Sequence, residues 1–291
     1  MIEAGADGAS RPVPHPFPYQ GSKRRLAQRI LERVKGNPRR LLEPFAGSAA
    51  VTLAAAASSN GRFCELWIND ALPALAGLWR GIVEQPEVLA DAYALLWECT
   101  DADTYLRARA DFNRTREPSR LLYLLARCVK AAVRFNAAGG FNQAADKRRR
   151  GAHPTRMRRQ LLATSALLQG RARITSLDFA DVLAQASRED FVYLDPPYEG
   201  TSTGPDRRYA QGLARTRVVA GARSLLARGI PFALSYDGSS GDRRYGATLE
   251  AELGLSPLWL DAGTSSQGTL SGQPRRTVEA LYVSAGRPTR P

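Results

Sequence analysis

FVYLDPPYEG, residues 191–200, starts as an apolar run and stops at an acid, two prolines and a tyrosine. Phe191–Leu194 is a short apolar run and reads as a buried strand. Pro196 and Pro197 lack N–H donors and fix φ, so the ladder cannot continue through them. Asp195 then lies at the strand's carboxyl end, where open α/β sheets bind their ligands. Its carboxylate and the stiffly held Pro196 carbonyl make two acceptors beside the Tyr198 ring. Such a set suits an exocyclic amine on a nucleobase. The amine gives its two hydrogens to the acceptors and the base stacks on Tyr198. Holding both hydrogens pulls the nitrogen toward a tetrahedral shape, so its lone pair can attack an electrophilic methyl group, mainly through orientation and preorganised electrostatics. The base must leave the duplex to reach such a pocket, and stacking returns roughly 1–3 kcal/mol per base. The same residues can also end a strand with no chemistry attached, and the motif alone leaves both readings open.

Working outward, strand and helix signals alternate. Arg40–Phe45, Phe63–Ile68, Arg173–Leu177 and Phe232–Ser235 read as further strands, each followed by a helical or loop segment such as AAVTLAAAA or LPALAGLWRGIV. Near the end, LSPLWLDA and RRTVEALYV flank GTSSQGTLSGQP and read as an antiparallel hairpin. The expected fold is therefore α/β and Rossmann-like, with a mostly parallel sheet covered on both faces and an antiparallel C-terminal hairpin. Residues 86–170 break the alternation. Stretches such as SRLLYLLARCVKAAVRF make this interval largely helical, an insertion or second domain. The sheet domain then comprises residues 17–85 and 171–284, with flexible tails at 1–16 and 285–291. Asp70, Asp178 and Asp195 stand at or just after strand ends. Asp237 follows two residues past one, and Glu43 lies inside the first. The loop at Tyr236–Asp237 reads equally well as a cover for a flipped base and as a plain turn.

The chain has 291 residues, 44% of them hydrophobic, enough for a large core and against global disorder. No run of about 18 apolar residues appears, so no membrane span is expected. The N-terminus has neither the basic start nor the apolar core of a secretory signal. Three widely spaced cysteines fit a reducing cytoplasm. Two histidines, with no CxxC pair, leave zinc chemistry almost no ligands, and no metal is expected.

The ordered pieces PYQGSKRRL (18–26), LLEPFAGSAAV (41–51), LWINDALPAL, RFNAAGGFNQ (134–143), SLDF and YLDPPY resemble the Dam-type, D12 class of DNA adenine-N6 methyltransferases over about residues 17–283. The resemblance implies a methyltransferase fold with S-adenosylmethionine as donor and double-stranded DNA as partner. It makes 17–85 and 171–284 the catalytic domain and 86–170 the target-recognition domain. It implies catalytic roles for Asp195, Pro196, Pro197 and Tyr198. Donor contacts are implied for Tyr19, Lys23, Glu43, Pro44, Phe45, Gly47, Asp70, Asp178, Phe179 and Asp195. Gly47 lets the donor approach closely, Asp70 accepts the ribose hydroxyls, Lys23 reaches the methionine carboxylate, and Asp178 with Phe179 holds the adenine. The family often has tryptophan where Tyr19 stands and glycine where Ser22 stands. Neither departure removes the role, since an aromatic and a small residue remain. The sequence GSK is not a Walker A loop.

The formal net charge of +13 points to a polyanionic partner, and it is concentrated. Seven of the fourteen residues in KRRRGAHPTRMRRQ (147–160) are Lys or Arg, which argues for a phosphate-facing block rather than general solubility. Lys147, Arg148, Arg149, Arg150, Arg156, Arg158 and Arg159 are expected on phosphates. Arg134, Asn136 and Asn142 are expected near base edges, where Arg suits guanine and Asn adenine. Cytosine-N4 methylation uses the same amine chemistry and is the alternative. A non-catalytic nucleic-acid binder on a degenerate methyltransferase fold is the alternative of another class. Carbon-5 methylation is disfavoured, because no Pro-Cys nucleophile follows a strand. A monomer suffices for this chemistry. A restriction-modification setting, with a cognate restriction endonuclease, reads the same as a solitary or phage-borne one.

Overall fold

The computed structural model describes residues 12–58, 61–99, 103–136, 138–197, 214–240, 243–244, 248–264 and 276–284. The sheet contains β1 (Arg40–Glu43), β2 (Glu65–Asn69), β3 (Ala172–Thr175), β4 (Asp190–Leu194), β5 (Phe232–Ser240), β7 (Leu258–Thr264) and β8 (Arg276–Ser284), with the short β6 (Arg243–Arg244) pairing β5. The order is β3-β2-β1-β4-β5-β8-β7. β1, β2, β3, β4 and β5 run parallel, while β8 lies antiparallel between β5 and β7. The C-terminal hairpin is thus present, and it closes one side of the sheet. Strand order reverses between β1 and β4, so their carboxyl ends open the crevice where ligands bind in such sheets.

Alternation along each strand explains how the sheet is covered. Leu41, Leu66, Ile68, Phe191, Tyr193, Ala233 and Leu281 belong to one core cluster, and Leu42, Trp67, Val192, Leu194, Phe232, Leu234, Ala280 and Tyr282 to the other. Successive residues point to opposite faces, so an unbroken apolar run such as FVYL is what a strand buried on both sides requires. The second face is packed by α8 (Phe179–Ala184), α9 (Arg215–Arg228) and α10 (Glu250–Leu253). The first carries α1 (Ala27–Leu31), α2 (Ala50–Ala57) and α3 (Pro73–Glu84). All eight residues of α2 are buried, and its alanines let the layers on either side approach closely.

The insertion supplies α4 (Pro86–Glu98), α5 (Thr104–Thr115), α6 (Pro118–Arg127) and α7 (Pro154–Leu168). Proline at the first turn of α3, α4, α6 and α7 removes an N–H that would have no helical partner. The insertion shares one continuous core with α1–α3. The insertion is largely helical as expected, but between Cys128 and His153 the described residues form a single 3-10 turn, at Val129–Ala131, and no other helix. The amphipathic run ends at Cys128 because Lys130 and Ala131 take positive φ. The chain then turns so that Val129 N–H reaches Ala144 O at 3.0 Å.

Several boundaries differ from those expected, among them β5, which runs on through Ser240 so that Tyr236 and Asp237 lie in a strand and not in a turn. β1 ends at Glu43, two residues before Phe45, which makes Glu43 a strand-end acid. The tail expected through residue 16 is shorter, since Pro14 and Pro16 are buried and the His15 N–H donates to Gln160 Oε1 at 2.6 Å. Among the described residues no helix is long and apolar enough to cross a membrane.

Candidate active site

The carboxyl ends of β1, β2 and β3 are tied together by Asn69. Its Nδ2 donates to Pro44 O at 2.9 Å and Leu177 O at 3.1 Å. Its Oδ1 accepts from Thr175 Oγ1 at 2.7 Å and Leu177 N–H at 2.9 Å. A side chain with every donor used and two bonds at its oxygen fixes the crevice floor. In the sequence Asn69 carries no signal beyond its place beside the strand-ending Asp70.

Asp70 follows directly and is buried. Its Oδ2 accepts from Gly47 N–H and its Oδ1 from Leu72 N–H, both at 3.0 Å. Burial pushes its carboxyl up to about 6, against the pull of those two N–H groups. Gly47 has φ +50°, which favours glycine, and a Cβ there would stand 2.8 Å from Tyr19 Cε1. The Tyr19 ring therefore fills the space that glycine leaves, a close approach within the protein that the sequence reading had assigned to a ligand. Trp79 Nε1 donates to Gly47 O at 2.9 Å, and Ser48 Oγ donates to Ser22 Oγ at 2.7 Å. These bonds join PYQGSK and EPFAGS into one wall. Serine at position 22 has a use here that glycine could not provide.

Farther along the crevice, the Phe45 and Phe179 rings pack at 5.1 Å with 32° between their planes. Asp178 caps α8 by accepting from Ala180 N–H at 2.9 Å, and it pairs with Arg217 Nη2 at 2.8 Å. Burial works to raise the Asp178 carboxyl. The Ala180 N–H and the Arg217 guanidinium outweigh it and hold the group below the usual carboxylate range. Arg217 also covers Phe179, 5.0 Å from the ring centre. No motif announced Arg217, because its role depends on α9 lying beside α8.

Asp195 stands at the end of the fully buried β4, with Pro196 and Pro197 following. Tyr198 lies outside the described residues. Lys23, expected at the donor's methionine carboxylate, has its Nζ 3.0 Å from Asp195 Oδ1 and 3.3 Å from Glu279 Oε2, so its ammonium is held by protein carboxylates instead. Burial would lower the Lys23 pKa, yet the carboxylates of Asp195 and Glu279 more than offset it and raise it. Glu43 is also buried, its Oε2 accepting from Thr52 N–H at 3.1 Å and Thr52 Oγ1 at 2.6 Å. Burial, helped by the Asp195 charge and opposed by the Thr52 bonds, pushes the Glu43 carboxyl up to about 8. Tyr193 and Ser235 share a hydrogen bond of 2.9 Å beneath this group. Burial and then the Asp195 charge push the Tyr193 phenol well up. The outcome is a carboxylate oriented by an ammonium, next to a proline carbonyl, at the mouth of the sheet crevice. Glu279 was missed in sequence reading. The available signal was its place in RRTVEALYV, where alternation puts it on the same face as the core residue Leu281.

The expected DNA-contacting residues fall into two groups within the insertion. Residues 134–136 and 138–142 lie antiparallel to each other. Phe135 pairs with Phe141, Asn142 N–H donates to Arg134 O at 3.1 Å, and Asn136 N–H to Gly140 O at 2.8 Å. Asn136 and Asn142 are exposed, but Asn136 Oδ1 already accepts from Gly140 N–H at 2.8 Å and supports this pairing. Asn113 braces the pairing from α5 through two bonds to the Phe141 backbone. In the second group Lys147, Arg148, Arg149 and Arg150 are exposed. Arg148 and Arg149 lie 3.7 Å from Asp146, and Arg150 sits 4.0 Å over the Trp97 ring. Arg158 pairs with Asp91, while Arg156 and Arg159 are exposed on α7. Several of these cations are thus held in place by local partners.

Residues 19–245 match the family described as D12 class N6 adenine-specific DNA methyltransferase. The chain is 28% identical over 193 residues to the retron Ec67 DNA adenine methylase of Escherichia coli, covering 64% of each chain. It is 26% identical over 189 residues to the DNA N-6-adenine-methyltransferase of Escherichia phage P1, covering 63% of this chain and 24% of that one. A DNA adenine methylase of Vibrio cholerae serotype O1 is 26% identical over 192 residues, with 64% and 65% covered. The chain thus spans less than two thirds of the length of these relatives. A solved ribosomal RNA methyltransferase from Streptomyces viridochromogenes overlays at a TM-score of 0.41 and 20% identity, over 92% of this chain and 87% of that one, an overlap too loose to bear on function.

Proposed function

The chain belongs to the D12 class N6 adenine-specific DNA methyltransferase family, and on that premise we propose that it methylates the exocyclic amine of an adenine flipped out of duplex DNA, with S-adenosylmethionine as donor. When bound, the donor supplies an electrophilic methyl group on its sulfonium. The residues present fit it. Asp70 keeps acceptor capacity beyond its two backbone partners, since a carboxylate offers about four lone-pair sites. It would hold the ribose hydroxyls at the end of β2. Tyr19 and the Glu43–Gly47 turn would line the methionine portion, with the Phe45–Phe179 pair and Asp178 toward the adenine.

Toward the target base, Asp195 and the Pro196 carbonyl accept the two amine hydrogens and fix the lone pair's direction. Lys23 orients Asp195, and Tyr198 is the stacking platform. The observation that carries the reading is Asp195 at the carboxyl end of β4, beside the switch point and paired to a buried lysine at 3.0 Å. The exposed Arg/Lys block of the insertion is read as the phosphate contact, with the antiparallel pairing that carries Arg134, Asn136 and Asn142 near base edges. Each described site residue lies in one copy, so a monomer suffices. A cytoplasmic setting goes with the DNA substrate as part of the same proposal, which holds equally for an enzyme with a cognate restriction endonuclease and for a solitary or phage-borne one.

The test is mass spectrometry of nucleosides from unmethylated plasmid incubated with the chain and donor. N6-methyladenine is expected, and Asp195→Ala should abolish it while leaving DNA binding intact. N4-methylcytosine would replace the assigned base, and equal activity of wild type and Asp195→Ala would overturn the mechanism.

A further inference from the structure

We propose that Glu279 is a positioning residue, the second carboxylate that keeps Lys23 paired when Asp195 turns to the target amine. The inference rests on the methyltransferase reading above. Lys23 is 7% exposed and Glu279 16%, so this ion group is largely withdrawn from water. Two carboxylates flank the one ammonium, from different strands. Asp195 follows β4, whereas Glu279 comes from β8, which runs antiparallel beside β5. The Glu279 partner on β5 is Gly238, just past a register shift between Ser235 and Gly238. A bulge re-aims the strand locally, and glycine adds no side chain beside Glu279.

The physical need is specific. An amine arriving at Asp195 can use its second oxygen, yet a carboxylate that turns toward the base draws its other oxygen, the one Lys23 holds, away from the ammonium. With Asp195 as its sole counter-charge, Lys23 would either keep that oxygen or be left as a buried, uncompensated cation, the costly outcome for a buried ion pair. Glu279 at 3.3 Å removes that choice, because the ammonium retains a carboxylate while Asp195 is free to accept. Among the described residues, the titratable groups facing Lys23 include Asp195 and Tyr193 from β4 and its end, and Glu279 from β8. A plain strand-stabilising ion pair would also hold Lys23 charged, but would leave the chemical step alone, so the transfer rate separates the two roles.

The experiment uses the full chain with Glu279→Gln and Glu279→Asp, each checked by thermal unfolding. Lys23 is followed by carbon-13 NMR of its Cε from pH 8 to 11, and methylation of plasmid DNA is followed in single turnover. Wild-type Lys23 is expected to stay charged across that range. In Glu279→Gln its titration should fall far enough to begin inside that window, as the loss of an adjacent opposite charge predicts. Its methyl-transfer rate should drop about tenfold or more, as for a mispositioned group, with donor affinity within about threefold of wild type. Glu279→Asp should recover part of both. An unchanged Lys23 titration, or a wild-type transfer rate in Glu279→Gln, overturns the proposal. A wild-type chain that methylates no base defeats the functional reading itself, and the Lys23 titration then still decides whether Glu279 holds Lys23.

Discussion

Replacing Gly47 by alanine should destabilise the protein through two separable effects. The first is local. At φ +50° an L side chain costs about 1–2 kcal/mol. The second is a contact: the new Cβ would lie 2.8 Å from Tyr19 Cε1 and 3.2 Å from Cζ, so the ring must move. Overpacking of this kind costs about 1–3 kcal/mol, and the lower end applies because the Tyr19 ring is only half-buried. Gly47→Ala should therefore lose about 2–4 kcal/mol in urea unfolding. In a Tyr19→Ala background the contact is gone, and the same change should cost only the backbone part, about 1–2 kcal/mol. The cycle thus predicts a coupling of about 1 kcal/mol or more. Gly77 in α3 is the control. It has no neighbour within 4 Å of a new Cβ and lies inside a helix, so Gly77→Ala should stabilise by about 0.5–1 kcal/mol. Additivity of Gly47→Ala and Tyr19→Ala within about 0.5 kcal/mol would refute the packing argument.

Two further perturbations follow from buried carboxyls. The Glu43 group, pushed up to about 8 from its ordinary 4.5, favours the fold when neutral. Its contribution is full below the unfolded value and is lost as pH rises through about 8. Glu43→Gln can still accept from Thr52 and cannot ionise, so it should be more stable than wild type at pH 9 by at least about 1–2 kcal/mol and close to it at pH 5. Parallel stability–pH curves for the two proteins would contradict this. Asp190, 1% exposed, takes Arg40 through two bonds of 2.7 Å and also accepts from Ser187 N–H at 2.6 Å. Breaking such a pair from one side leaves a poorly solvated guanidinium, so Asp190→Ala should cost about 3–5 kcal/mol in chemical denaturation, and a loss under about 1 kcal/mol would show the pair to be incidental.

Unbroken apolar runs were enough to locate the central strands, because a strand buried on both faces is apolar along its length, as FVYL is, and as LL and LWI are up to the strand-ending Glu43 and Asn69. Strand-ending acids were legible for a related reason. A carboxylate after an apolar run has nowhere to sit except past the strand's carboxyl end, where Asp70 and Asp195 are found. The composition and clustering of arginines located a basic segment in the insertion. Residues that act through partners distant in the chain were not legible. Lys23 meets Glu279 only because an antiparallel β8 slots between β5 and β7. Asn69 is a hub only because β1 and β3 flank β2, and Arg217 reaches Asp178 only across α8 and α9. Ser22 and Ser48, or Tyr19 and Gly47, are separate motifs in sequence and one wall in the fold. Periodicity and chain-terminating residues are short-range properties, set by the backbone and its immediate neighbours, so the sequence by itself determined the elements, the parallel sheet and the acids at its mouth. Which charge faces which is a long-range property of packing, and only the tertiary structure decided that the lysine of the N-terminal motif stands between two carboxylates.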